Sequence, residues 1–304
     1  MSELIRNIEQ NDIPLLREMF SEVFGSPDWK SIERLGGMTN HSYKITRDDG
    51  QEYLARIPGE GTEEMINRAD ERKSTELACS LGIDSELLYF SDDGKKIMRF
   101  ISDPLPMSES VMRQDNNIRQ AAEIFNRLHN CGKDTGVRFE VFEMADAYEK
   151  IIINNNVKLY DDYDAVRRDV FDIKASVDAN GEAPRVPCHN DSLIGNWVLD
   201  KNGKLYLIDW EYSGMNEAMW DLSCFSIELG YSPEHDNKLL FYYYGKVPTV
   251  EQKKRFAAAK LYVDFLWTLW GLTRVPYDGD FMQEYADNRY ERLKNNIANY
   301  KKIK

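Results

Sequence analysis

The stretch that most constrains this chain runs from Pro187 to Asp221. It opens on His189-Asn190-Asp191 and places Asn196 five positions after Asp191. Trp197-Val198-Leu199 and Leu205-Tyr206-Leu207-Ile208 then read as two short strands, with Asp200-Lys201-Asn202-Gly203 turning between them. The second strand ends on Asp209, followed by Trp210 and Glu211. Polar turns favour Asp and Asn for reasons of their own. The joint spacing of a loop carboxylate, an amide, a hairpin and a strand-end carboxylate is much harder to obtain that way.

Phosphoryl transfer asks for these groups in this order. One carboxylate holds the incoming hydroxyl in line, an amide oxygen helps to hold Mg²⁺, and a second carboxylate bridges the metal to the phosphates. H-x-D-x-x-x-x-N, a hairpin and a strand-end Asp form the arrangement of a kinase catalytic loop and its metal-binding Asp. Asp191 is therefore expected to orient or deprotonate an acceptor, and Asn196 and Asp209 to ligate Mg²⁺. No GxxxxGK[ST] loop is present, which argues against the other large class of nucleotide enzymes.

Upstream, the sequence supplies a matching nucleotide half. Leu15, Leu16, Met19, Phe20 and Val23 follow helical spacing and stop at Gly25. Ile32 to Ile45 reads as strand–turn–strand around Gly36-Gly37-Met38-Thr39-Asn40, and a further strand runs from Glu52 to Ile57. Amides of Gly36 and Gly37, with Thr39, Asn40 and Ser42, are expected to cover phosphates. Arg56 stands where a protein kinase carries its strand lysine, and arginine keeps its charge on burial. A helix predicted over Glu63 to Leu81 offers Glu71, in preference to Glu76, as the partner of Arg56. Strands at 87–90 and 97–101 lead to Ser102-Asp103-Pro104, the expected linker, so backbone and side chains near Met98, Phe100 and Ile101 are expected to meet an adenine. The predicted division is a nucleotide-binding lobe over 1–101 and a catalytic and substrate-binding lobe over 102–304.

Beyond the linker the pattern is mostly helical, with helices predicted around 116–128, 144–153 and 160–177, and a loop at 181–187. His129 sits at a helix end before Cys131-Gly132 and reads as structural. Trp267 and Trp270 lie three apart on one predicted helix and share a face. The 304 residues carry 39 basic and 52 acidic side chains, a formal charge of −13, which disfavours nucleic acid or an acidic membrane as partner and favours a small cation. The four cysteines show no paired spacing. The start lacks the regions of a signal peptide, and the apolar segment near Leu261–Leu272 is short and carries Asp264, so a cytoplasmic protein with no membrane insertion is expected.

Taken together, His189-Asn190-Asp191 with Asn196, Ile208-Asp209-Trp210-Glu211-Tyr212-Ser213, Trp220-Asp221 and Leu266-Trp267-Thr268-Leu269-Trp270 resemble the choline/ethanolamine kinase family. That family is a branch of the aminoglycoside-phosphotransferase group within the protein-kinase-like superfamily. The resemblance spans most of the chain past about residue 30 and is nearer to the shorter bacterial choline kinases. It implies an α+β, two-lobed protein-kinase-like fold, with a small antiparallel-sheet lobe and a larger, mainly helical lobe. It also implies ATP and Mg²⁺, and an aromatic and acidic pocket for a trimethylammonium group at Glu228, Trp267, Trp270, Tyr231 and Tyr285. Glu211 is implied as a second carboxylate near metal or substrate. The physics agrees, because a quaternary ammonium donates no conventional N–H hydrogen bond and is recognised by ring faces and carboxylates. The expected reaction is direct in-line transfer from ATP to the choline hydroxyl. Ethanolamine, an aminoglycoside, thiamine or a sugar remains open as acceptor, and a nucleotide-binding scaffold remains as the non-enzymatic reading.

Overall fold

The computed structural model describes residues 8–36, 40–59, 66–179 and 181–303. Gly37, Met38 and Thr39, and the start of the helix expected from Glu63, lie outside the described residues. In chain order the first elements are α1 (Asp12–Phe24), β1 (Ser31–Arg34), β2 (Asn40–Thr46), β3 (Glu52–Pro58), α2 (Arg68–Ser80), β4 (Leu87–Phe90) and β5 (Lys96–Arg99). The helices α3 (Glu109–Met112), α4 (Asp115–His129), α5 (Val141–Asn154) and α6 (Tyr163–Asp178) follow, then β6 (Arg185–Cys188), β7 (Trp197–Leu199), β8 (Leu205–Leu207) and β9 (Gly214–Glu217). The chain closes with α7 (Ala218–Glu228), α8 (Pro233–Tyr244), α9 (Val250–Asp278) and α10 (Asp280–Tyr300).

These elements group into two compact units, one of residues 1–108 with 195–213, the other of 109–194 with 214–304. The sequence division at 101/102 therefore falls short of the first unit's end, and the β7–β8 hairpin counts with the first unit although it lies deep in the second half of the chain. Hairpins bury one face only, and this one hydrogen-bonds to the first unit: Leu105 N–H donates to Leu199 O at 2.8 Å and Leu207 N–H to Ile83 O at 3.2 Å.

The first unit is built on an antiparallel five-stranded sheet of order β1-β2-β3-β5-β4. Alternating residues of β2 and β3 (Tyr43, Ile45, Tyr53, Ala55, Ile57) point to one face, where Leu16, Met19 and Phe20 of α1 cover them. Register matters for function here. β3 and β5 pair with Arg56 opposite Lys96, so two cations stand side by side on one face. Asn67 caps α2 by accepting the N–H groups of Ala69 and Asp70, which fixes where Glu71 is presented. The strand expected to reach Ile101 ends at Arg99.

The second unit is helical around α9, whose residues from Leu261 to Leu269 are all buried. It packs against α5, α6, α7 and α10, which explains why its middle, from Leu261 to Leu272, is apolar on nearly all sides apart from Asp264 and Thr268. The loop expected at 181–187 holds β6, which pairs with β9, a strand the sequence reading did not contain. α7 stops at Glu228, so Tyr231 lies beyond it. Among the described residues no helix is long and apolar enough to cross a membrane.

Candidate active site

In the first unit, the register of β3 and β5 and the cap of α2 produce a buried charge cluster around Glu71. Arg56 Nη1 stands 2.6 Å from Glu71 Oε1, and Arg56 Nη2 donates to Glu71 Oε2 at 2.9 Å. Arg68 Nη1 donates to Oε2 at 2.7 Å, and Lys96 Nζ to Oε1 at 3.2 Å. Burial alone would push this carboxyl up, but the Lys96 ammonium and the Arg56 guanidinium outweigh it and hold Glu71 down at about 2. Glu71 is thus the partner of Arg56, while Glu76 pairs with Arg72 on an exposed face. Gly94 completes the cluster. Its carbonyl accepts from Arg56 Nη2 at 2.8 Å, and the Arg68 side chain fills the place where a Cβ would stand, at 2.4 Å.

The cluster continues to the end of the β7–β8 hairpin. Glu211 Oε1 accepts from Arg56 Nη1 at 2.9 Å, Arg68 Nη1 at 2.8 Å and Asn40 Nδ2 at 3.0 Å. Asn40 and Arg56, expected to face phosphates, are therefore already engaged by the carboxylate expected near the metal. Ile208 N–H donates to Asn196 O at 2.9 Å, which ties the start of β7 to the residue before Asp209. Asp209 has a left-handed backbone, with φ of 68°, and its side chain is 42 % exposed. Its Oδ1 is nonetheless shut from solvent and takes no hydrogen bond among the described residues. Burial, then the neighbouring Glu211 carboxylate, push Asp209 toward its protonated form. Asp209 Oδ1 has Arg56 Nη1 at 4.0 Å but no hydrogen bond among the described residues; with the Glu211 carboxylate and Asn196 near it in the chain, it offers an oxygen-rich donor set that fits a hard divalent cation.

Of the residues expected around adenine, Met98 lies buried in the ladder opposite Leu54 and Leu87, and Phe100 N–H donates to Glu52 O at 3.1 Å. These backbone groups serve the sheet. Phe100 and Ile101 share a cavity of about 300 Å³ with Asp84, Arg99, Asp200 and Tyr206. Ser42 sits opposite Arg56 in the sheet, and Gly36 has open space around it.

In the second unit, the loop before Asp191 is tied down at almost every polar atom. Asp221 on α7 accepts the N–H groups of His189 at 2.8 Å and Asn190 at 2.7 Å. It also meets His129 Nε2 at 3.1 Å, which accounts for that histidine as a structural one. Asp191 N–H donates to His189 Nδ1 at 3.2 Å, and Trp220 Nε1 donates to Asn190 O at 2.9 Å. Asn190 adopts φ of 69° to make this turn.

The same unit brings three of the expected acceptor aromatics together. Trp267 and Trp270 on α9 meet at 5.9 Å and 89°, and Trp270 meets Tyr285 of α10 at 5.7 Å and 72°. Gly271 makes this possible, because a Cβ there would stand 2.8 Å from Cδ1 of Tyr285. Burial pushes the Tyr285 phenol up and Arg289 pulls against it, while the carboxylates of Glu228 and Asp191 add to the rise. Tyr231 is the exception. Its hydroxyl donates to Met112 O at 2.8 Å, and among the described residues its ring meets Phe225 and His235 rather than the other three rings.

Arg68, Lys96, Arg289 and Arg292 escaped the sequence reading. The available signals were Arg68 three positions before Glu71 and Arg289 four after Tyr285, both helical neighbours.

The profile of the choline/ethanolamine kinase family matches residues 32–265. The chain belongs to that family. This family member is 31 % identical to a choline/ethanolamine kinase family protein from Mesorhizobium loti, with a TM-score of 0.81 over 93 % of this chain and 94 % of that one. Against choline kinase LicA from Streptococcus pneumoniae the identity is 29 % and the TM-score 0.78, covering 94 % and 99 % of the two chains. Protein LicA of Haemophilus influenzae is 26 % identical over 84 % of this chain and 77 % of its own. The fold is protein-kinase-like, and the enzyme is a kinase.

Proposed function

We propose that this kinase transfers the terminal phosphoryl group of ATP to the hydroxyl of choline, giving phosphocholine by direct in-line displacement. The observation that carries the acceptor is the ring set Trp267, Trp270 and Tyr285, brought together within one unit. A trimethylammonium group suits ring faces, each desolvated contact being worth about 2 kcal/mol. The first unit is the nucleotide half. Gly36, Gly37, Thr39, Asn40 and Ser42 cover the phosphates, and the apolar residues around Phe100 and Ile101 take the base. Asn196 and Asp209, with Glu211 adjoining, hold Mg²⁺, whose charge neutralises the phosphates.

The protein's own groups do the remaining work. Arg56, locked between Glu71 and Glu211, keeps a fixed positive charge for the phosphates without reorganising. Asp191 orients the choline hydroxyl and takes its proton late, since the transition state is loose and positioning dominates. The ties from Asp221 to the 189–190 backbone hold Asp191 still. The test uses ATP labelled in its terminal phosphate, incubated with choline. Wild type is expected to give labelled phosphocholine, and Asp191→Ala to lose turnover by roughly a thousandfold or more while remaining folded. Trp270→Ala is expected to raise the choline KM more than the ATP KM. Near-wild-type turnover by Asp191→Ala, or equal effects of Trp270→Ala on both KM values, refutes the assignment.

A further inference from the structure

Beside the acceptor rings the second unit buries two arginines. Arg289 of α10 is 6 % exposed, and its Nη2 stands 2.8 Å from Glu228 Oε1. Arg292, one turn on, reaches the same Oε1 at 3.5 Å and binds Asp264, with Nη2 to Oδ1 at 2.6 Å and Nε to Oδ2 at 3.0 Å. Among the described residues Arg289 Nη1 makes no hydrogen bond, and it stands 3.7 Å from Asp264 Oδ1. Asn296 closes the group by donating to Asp264 Oδ2 at 3.1 Å. Two carboxylates thus face two guanidiniums, so Glu228 and Asp264 present no net charge. The Arg289 guanidinium also covers one face of Tyr285, 4.5 Å from its centroid.

From this arrangement we infer that Arg289 is an acceptor-selectivity residue, which silences Glu228 and thereby favours a quaternary over a primary ammonium. The inference rests on the acceptor reading above and deepens it. A primary ammonium brings three N–H donors that must be satisfied once water is stripped away. Leaving a donor poorly matched costs desolvation free energy, and Glu228, its charge matched by Arg289 at 2.8 Å, has no net charge left to offset that cost. A trimethylammonium group brings no such donor and is content with ring faces. The pocket therefore rejects ethanolamine by withholding a net counter-charge, a form of discrimination against the unfavourable partner.

The test compares kcat/KM for choline and ethanolamine in wild type, Arg289→Met and the charge-neutral double variant Glu228→Gln/Arg289→Met, with the ATP KM followed alongside. Arg289→Met leaves Glu228 with only the 3.5 Å contact to Arg292, whose charge Asp264 already matches, so a net negative charge returns. The choline-to-ethanolamine ratio is then expected to fall by about tenfold or more, the equivalent of one hydrogen bond to a charged group. The ATP KM is expected to stay near wild type. The double variant leaves no uncompensated charge, so it stands even where the single variant fails to fold, and its ratio is expected to remain within about threefold of wild type because Glu228 was already silent. An unchanged ratio in Arg289→Met overturns the inference and leaves the choline reading intact. Loss of choline preference in the double variant also overturns it, by showing that Glu228 attracts choline through its charge. A wild-type enzyme that favours ethanolamine overturns both the inference and the acceptor reading.

Discussion

Glu71 is a single carboxylate with three cations on it, and its protonation is felt by the whole first unit. Because Lys96 and Arg56 hold it down at about 2 against an ordinary value of 4.5, the ionised form is favoured in the folded state. A group depressed in this way stabilises the fold fully above pH 4.5, and that contribution is lost as pH falls through the interval down to about 2. Glu71→Gln leaves Arg56, Arg68 and Lys96 buried without their shared counter-charge, which costs about 3–5 kcal/mol. Thermal melts at neutral pH are therefore expected to show a large drop for the variant. Between pH 4.5 and 2 the variant is expected to lose less further stability than wild type; parallel losses in the two proteins would contradict the cluster's role.

Among elements, the β6–β9 pair and α7 decide where the catalytic loop sits. Cys188 pairs with Gly214, and Asp221 on α7 takes the N–H groups of His189 and Asn190 directly. Asp221→Asn keeps the size and one acceptor but turns an amine toward a backbone donor. It is expected to lower kcat by about tenfold or more, with KM values little changed and a lower melting temperature. A variant with normal kcat, or one that loses only substrate affinity, would remove Asp221 from the positioning of Asp191. This element also marks where the sequence stopped being informative. The helices announced themselves by spacing, and the catalytic motif by order. Arg185-Val-Pro-Cys and Gly214-Met-Asn-Glu each run four residues, one with an internal proline and the other opening on glycine, so neither alternates. Their pairing is visible only in three dimensions. The same holds for Arg68 and Arg289, whose neighbours in space come partly from distant segments, Glu211 and Glu228 respectively.

At the scale of the molecule, the chain is a kinase of the choline/ethanolamine family, and residues 187–221, the segment proposed to be catalytic, contribute to both compact units. Asp191 belongs to the second, while Asn196, Asp209 and Glu211 belong to the first. Buried cations in the first unit suit phosphates, and ring faces beside neutralised carboxylates in the second suit a quaternary ammonium, in line with the proposed function. The formal charge of −13 is compatible with a small cationic substrate and adds nothing to its identity. What distinguishes the central claim from its rivals is therefore the acceptor, because every alternative enzyme keeps the same catalytic loop. The most direct measurement is ADP release by the purified protein with ATP and Mg²⁺, comparing choline, ethanolamine, thiamine and kanamycin at matched concentrations. The account predicts a choline-dependent rate well above the other three. A higher rate with any other acceptor, or no acceptor-dependent release while ATP still binds, would contradict it.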